Sequence, residues 1–148
     1  MKFLKWLSKL MSTKPAQKTA EVFPAAGFDG IIVAKVAQIS KHPNADRLQV
    51  VELTDGKNII APVVCGAFNF KVGDKVALAL PGSKIPKNIH SEQHESFTLQ
   101  KAKIRGVESQ GMICAAFELG LSDTPGNGIM VLADSAVLGS KFSPEMIK

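Results

Sequence analysis

From residue 31 onward, short runs of Val, Ile and Leu alternate with clusters of turn residues, which is the pattern of strands rather than helices. Ile31 to Ile39 and Leu48 to Leu53 read as two strands separated by the turn-rich Lys41-His-Pro-Asn-Ala-Asp46. Asp55-Gly56 then predicts a tight hairpin turn into a third strand over Asn58 to Val64, making a meander. Lys75 to Leu80 reads as a fourth strand and Phe97 to Ile104 as a fifth. Ile129 to Leu132 adds a shorter one, and Ala115 to Leu121 suits one or two helical turns. Before Gly30 the period changes. Phe3, Leu7, Leu10 and Met11 fall on one helical stripe, which predicts a short amphipathic helix, followed by a connector through Pro15, Pro24 and Gly27.

Five principal strands with unequal loops, no βαβ repeat and no tandem repeat predict an all-β fold. The expected form is a five-stranded closed barrel of the oligonucleotide/oligosaccharide-binding (OB) type with short helices, a sandwich being the alternative. The expected organisation is a helix and connector over residues 1–29, the barrel over 30–142 and a short tail over 143–148. The basic start lacks the long apolar run and small-residue cleavage site of a signal peptide, so the helix is expected to pack on protein without stable membrane insertion.

Charge sharpens this picture through its distribution. The formal net charge of +5 is already reached by Lys2, Lys5, Lys9, Lys14 and Lys18 before any acid appears. The rest of the chain balances 13 basic against 13 acidic groups. Within it, residues 35 to 105 hold 11 basic and 6 acidic groups, and residues 106 to 148 hold 2 and 5. A positive middle and an acidic end favour an anionic partner at one face over indiscriminate coating by nucleic acid.

The densest feature is Lys101-Ala-Lys-Ile-Arg-Gly-Val-Glu-Ser-Gln-Gly-Met112. In an extended strand Lys101, Lys103 and Arg105 share one side while Ala102 and Ile104 share the other, giving a charged strip backed by an apolar one. Such a strip can lie along a phosphate backbone, with Lys41 and Arg47 approaching from a neighbouring loop and strand. Phe68, Phe70, Phe97 and Phe117 are expected to serve the core more than base stacking, so RNA shape is a better target than single-stranded sequence.

Catalytic chemistry finds no constellation. No Gly-x-Ser-x-Gly elbow presents Ser109, and no Gly-Lys-Ser or Gly-Lys-Thr follows the glycines to cradle a nucleotide. Cys65 and Cys114 stand in apolar company and read as reduced core residues. His42, His90 and His94 have no spacing that builds a zinc site, so neither metal nor cofactor is expected.

Several stretches resemble the tRNA-binding domain near the start of the bacterial phenylalanyl-tRNA synthetase beta chain. They are His42-Pro-Asn-Ala-Asp-Arg-Leu48, Val64-Cys-Gly-Ala-Phe-Asn69, Val76-Ala-Leu-Ala-Leu-Pro-Gly82, residues 101–112, Glu118-Leu-Gly-Leu-Ser122 and Gly128-Ile-Met130, in that order. The same domain is similar to stand-alone tRNA-binding proteins and to the appended domain of methionyl-tRNA synthetase. The resemblance implies an OB barrel, a cytoplasmic place in protein synthesis and an RNA face at Arg47, Lys103, Ser109 and Met112. It also implies that Pro43, Asn44 and Cys65 shape loops or the core. Residue chemistry adds Lys41, Lys101 and Arg105 to that face. Binding of tRNA or another structured RNA is the leading expectation. A non-catalytic domain that organises phenylalanine-tRNA ligase subunits is the second, and a peptide-binding, chaperone-like homodimer the third. No synthetase core can be placed in the chain, so any enzymatic role would be as part of that ligase.

Overall fold

The computed structural model describes residues 28–148 apart from His90 and Asn127. The helix expected over residues 1–11 and its connector lie outside the described residues.

The meander forms as read. β1 (Ile31–Lys41) pairs antiparallel with β2 (Gln49–Thr54), and β2 with β3 (Ile59–Cys65). Asp55 fixes the second turn because its Oδ1 accepts the amide N–H groups of Lys57 at 2.9 Å and Asn58 at 2.7 Å. Those same donors favour its charged form and hold the carboxyl below its ordinary value. β4 (Lys75–Ala79) pairs antiparallel with the first half of β1, from Ile31 opposite Ala79 to Lys35 opposite Lys75. The second half of β1 pairs with β2, and Lys35 is the residue at which both partners meet it.

Six short strands follow: β5 (Lys84–Ile85), β6 (Phe97–Thr98), β7 (Ala102–Ile104), β8 (Val107–Ser109), β9 (Met112–Ile113) and β10 (Val131–Leu132). β9 and β10 pair with β4 at its two ends. β4 is buried on both faces. Its alternating side chains send Ala77 and Ala79 to a cluster with Ile31, Val33 and Phe142, and Val76 and Leu78 to one with Val36, Leu53 and Val63. The last residues add edge bonds, Ala133 N–H to the Met146 carbonyl at 2.7 Å and Lys148 N–H to that of Val131 at 3.1 Å. Among the described residues no helix is long and apolar enough to cross a membrane.

The fold is all-β, but it corrects the expected OB barrel of five strands with short helices. Residues 97–104 do not make one strand. β6 pairs with β5 and β7 with β8, and neither pair joins the main sheet through a ladder. Local bonding divides the run: the Leu99 amide donates to the Ser83 carbonyl and its own carbonyl accepts the Gly82 N–H, each at 2.8 Å. Beyond it, Arg105 and Gly106 adopt φ of 54° and 91°, the two-residue hairpin turn that commits β7 to β8.

Closure also fails at the outer edge of β3. Pro62 has no N–H to offer; its carbonyl accepts the Gln110 N–H at 2.8 Å, and the Val64 N–H goes to a side chain, Ser109 Oγ, at 2.9 Å. Two isolated ties stand where a ladder would be. The helical turns expected over Ala115 to Leu121 are plain turns, ended by Gly120 at φ 76°, and no α-helix stands among the described residues. Pro144–Met146 makes a single 3-10 turn.

Candidate nucleic-acid interface

The β7–β8 hairpin is too short to hold its own shape, and the Lys41–Asp46 loop supplies what it lacks. His42 is buried, with Nε2 2.9 Å from the Ile104 carbonyl and Nδ1 accepting the Asn44 N–H at 2.9 Å. This pair of partners assigns the neutral tautomer with the proton on Nε2, because a carbonyl can only accept and an amide N–H can only donate. Asn44 Nδ2 donates to the Arg105 carbonyl at 2.9 Å. Two consecutive carbonyls of the hairpin turn are therefore held by a loop about sixty residues earlier in the chain. Pro43 is exposed at the tip of that loop.

The seven candidate residues take three kinds of position. Lys101 and Lys103 are exposed at the approach to and within β7, and Arg105 is exposed in the turn itself. Its positive φ breaks the simple alternation, so the strip is two lysines on a strand plus an arginine on a pinned turn. Lys41 and Arg47 are exposed at either end of the pinning loop. The expected apolar backing is thin, because Ala102 is exposed and Ile104 only half-buried. Ser109 is instead buried, its hydroxyl accepting from Val64 N–H and donating to the Gly111 carbonyl at 2.8 Å. Met112 is half-buried on β9.

Behind the hairpin lies a cleft of about 770 Å³. It falls within the ~300–1,000 Å³ range usual for small-molecule sites. Gln100, Ala102 and Ile104 line it while Lys101 and Lys103 between them do not, so the alternation absent at the turn does hold along residues 100–104. Phe97, Met112 and Ile129 give it an apolar wall.

Among the described residues Glu118 is the one acidic side chain on the lining, and it is only 6% exposed. Its Oε1 accepts the Ala115 N–H at 2.8 Å. Burial raises its carboxyl above the ordinary value, with the Ala115 bond working the other way. Burial also raises the thiols of Cys65, which lines the cleft, and Cys114, neither of which is in a disulfide. The sequence reading set His42 aside as a metal ligand and named it and Glu118 only within segments that carry the family resemblance, giving neither a role. The two-residue spacing of His42 and Asn44, which suits a side chain bonding the backbone two residues on, was the available signal for the first.

The family model described as "Putative tRNA binding domain" matches residues 31–141. The phenylalanine–tRNA ligase beta subunit of Dechloromonas aromatica is 42% identical over 134 residues, 90% of this chain and 16% of that protein. Its counterpart in Neisseria meningitidis is 40% identical over 118 residues, 80% of this chain and 14% of that protein. The chain thus spans only about a sixth of the length of these curated relatives. Among solved structures, a Naegleria gruberi RNA ligase superposes with a TM-score of 0.50 at 14% identity, covering 80% of this chain and 34% of that one, a likeness of fold alone. With the match running through the meander, the pinned hairpin and the cleft, the chain belongs to the putative tRNA-binding domain family.

Proposed function

We propose that this chain binds structured RNA, tRNA foremost, through the exposed side chains of the β7–β8 hairpin and the loop that pins it. The observation that carries the reading is that pinning itself. His42 and Asn44 hold the carbonyls of Ile104 and Arg105, bringing the segment with Lys41 and Arg47 against the turn with Arg105 and the strand with Lys103. Basic groups on a fixed scaffold position a phosphate backbone without side-chain rearrangement. The role fits a domain of, or related to, a phenylalanine–tRNA ligase beta subunit acting in the cytoplasm, where two unpaired cysteines stay reduced.

The test is tRNA affinity against salt for the native chain, Lys103→Ala and the triple variant Lys101→Ala/Lys103→Ala/Arg105→Ala, with unfolding midpoints for each. Each lost phosphate contact lowers the magnitude of the logarithmic slope by about 0.7–0.9. Identical slopes in three folded proteins would remove the hairpin as the phosphate-binding surface. A second reading, docking within a synthetase, draws on Phe68 and Val72, which are 60% and 56% exposed in the loop between β3 and β4. Phe68→Asp would then leave the tRNA salt slope unchanged and abolish capture by a synthetase subunit.

A further inference from the structure

We propose that the cleft behind the β7–β8 hairpin receives one unpaired nucleobase of the bound RNA, with Glu118 reading an amino-bearing base edge. The inference rests on the RNA-binding reading and adds to it a site that selects bases.

Three observations converge on that occupant. First, the hairpin strand serves two environments at once. Gln100, Ala102 and Ile104 line the cleft, and Lys101 and Lys103 alternate with them on the exposed side. A nucleotide has the same division, an apolar planar base on one end and an anionic phosphate on the other. Seated at this strand, the base enters the cleft while the phosphate stays among the lysines at the rim. Second, the lining offers flat apolar contact from Phe97, Met112 and Ile129. A π-face packs against such side chains with little regard for sequence.

Third, the cleft is not uniformly apolar. Glu118 lines it, is more than nine-tenths buried, and takes the Ala115 N–H on Oε1. A carboxylate has about four lone-pair sites, so beside the Ala115 bond it can accept an N–H that arrives in the cleft. Burial disfavours its charge, and an amine donating to the carboxylate acts in the opposite direction, as the Ala115 N–H already does. Cytosine offers such an amine at N4, whereas uracil presents a carbonyl oxygen in the same place. An apolar peptide would fill the walls but leave the strip of lysines without a role.

The experiment uses the full chain and competition against labelled tRNA at low salt. The competitors are the tetranucleotides CCCC and UUUU and a tetramer of abasic ribose with the same backbone charge. CCCC is expected to compete about tenfold better than UUUU, and both better than the abasic tetramer. Ala102→Phe, which fills the cleft from an exposed strand position, is expected to erase the advantage of bases over abasic sugar while leaving the salt slope for tRNA intact. Glu118→Gln, whose amide can present either a donor or an acceptor, is expected to bring CCCC and UUUU within about twofold of each other. Equal competition by all three tetramers, with tRNA still bound salt-sensitively, overturns this inference and spares the RNA-binding reading. Failure of tRNA itself to bind the folded chain overturns both.

Discussion

Replacing Ser109 by Ala separates a structural hydroxyl from an RNA-contacting one. The hydroxyl accepts the Val64 N–H at 2.9 Å and donates to the Gly111 carbonyl at 2.8 Å, inside a residue only 3% exposed. Val64 is itself buried, and among the described residues its N–H has no other partner on that side of β3, since the ladder with β2 lies on the opposite edge. Deletion thus leaves one buried donor and one acceptor unmet, each worth about 1–3 kcal/mol if nothing replaces the bond. The adjoining cleft lets water reach Ser109's place, which puts the expected total near 1–3 kcal/mol rather than at the full sum. In urea, with a slope of about 1–3 kcal/mol per molar, the unfolding midpoint should fall by about 1 M at an unchanged slope. Affinity for tRNA, measured where both proteins are fully folded, should change less than twofold. Unchanged stability together with a clear loss of affinity would refute the argument and return Ser109 to the RNA face.

Asn44→Ala removes the bond to the Arg105 carbonyl and should cost about 0.5–1.5 kcal/mol in stability. Because it loosens the turn without removing a charge, it should also lower tRNA affinity several-fold at an unchanged salt slope; a reduced slope would show that the turn was not the affected element. Gly111→Ala places a methyl 2.7 Å from the Ala79 carbonyl oxygen, a backbone atom, and should lower thermal stability by about 1–3 kcal/mol. A midpoint like that of the native chain would show that β9 shifts freely against β4. Glu118 binds its proton more tightly when folded, so its ionisation costs stability as pH rises from the ordinary value of 4.5 through the raised folded value. Glu118→Gln keeps an acceptor for the Ala115 N–H and removes that cost, so its stability advantage over the native chain should widen with pH across this window. Urea midpoints that stay a constant distance apart would count against it.

How much of this was legible in the sequence follows from the range of the interactions involved. β1 to β4 were legible because alternating Val, Ile and Leu, bounded by Asp55-Gly56 and similar turns, report their own burial locally. The break at residues 97–104 was not, because it depends on Leu99 bonding to residues 82 and 83 and on Arg105 entering positive φ, which a non-glycine residue seldom does. Barrel closure was lost for a related reason: whether β3 gains another neighbour depends on where the Val64 N–H goes, and it goes to a serine forty-five residues away. Glu118 received no role from the sequence because an acid among Phe117 and Leu119 carries no chemistry by spacing alone, and only the folded chain shows it lining a cleft.

Two of the segments that carried the family resemblance prove to be one physical unit. His42-Pro-Asn-Ala-Asp-Arg47 and Ile104-Arg-Gly106 are far apart in the chain, yet His42 and Asn44 bond to the carbonyls of Ile104 and Arg105. A methyl on Gly106 would come within 3.3 Å of Asn44 Nδ2. That turn needs φ of 91° at Gly106, which glycine alone adopts without strain, and it takes ties from His42 and Asn44 at the carbonyls of Ile104 and Arg105. A sequence able to make the turn but lacking the His42–Asn44 spacing would lose both ties to the loop and leave the hairpin free to swing. One with the loop but without the glycine would press a side chain against Asn44. The basic residues can be exchanged or moved along the strip at modest cost, whereas this frame stands or falls as a pair, and the placement of every charge on the hairpin depends on it.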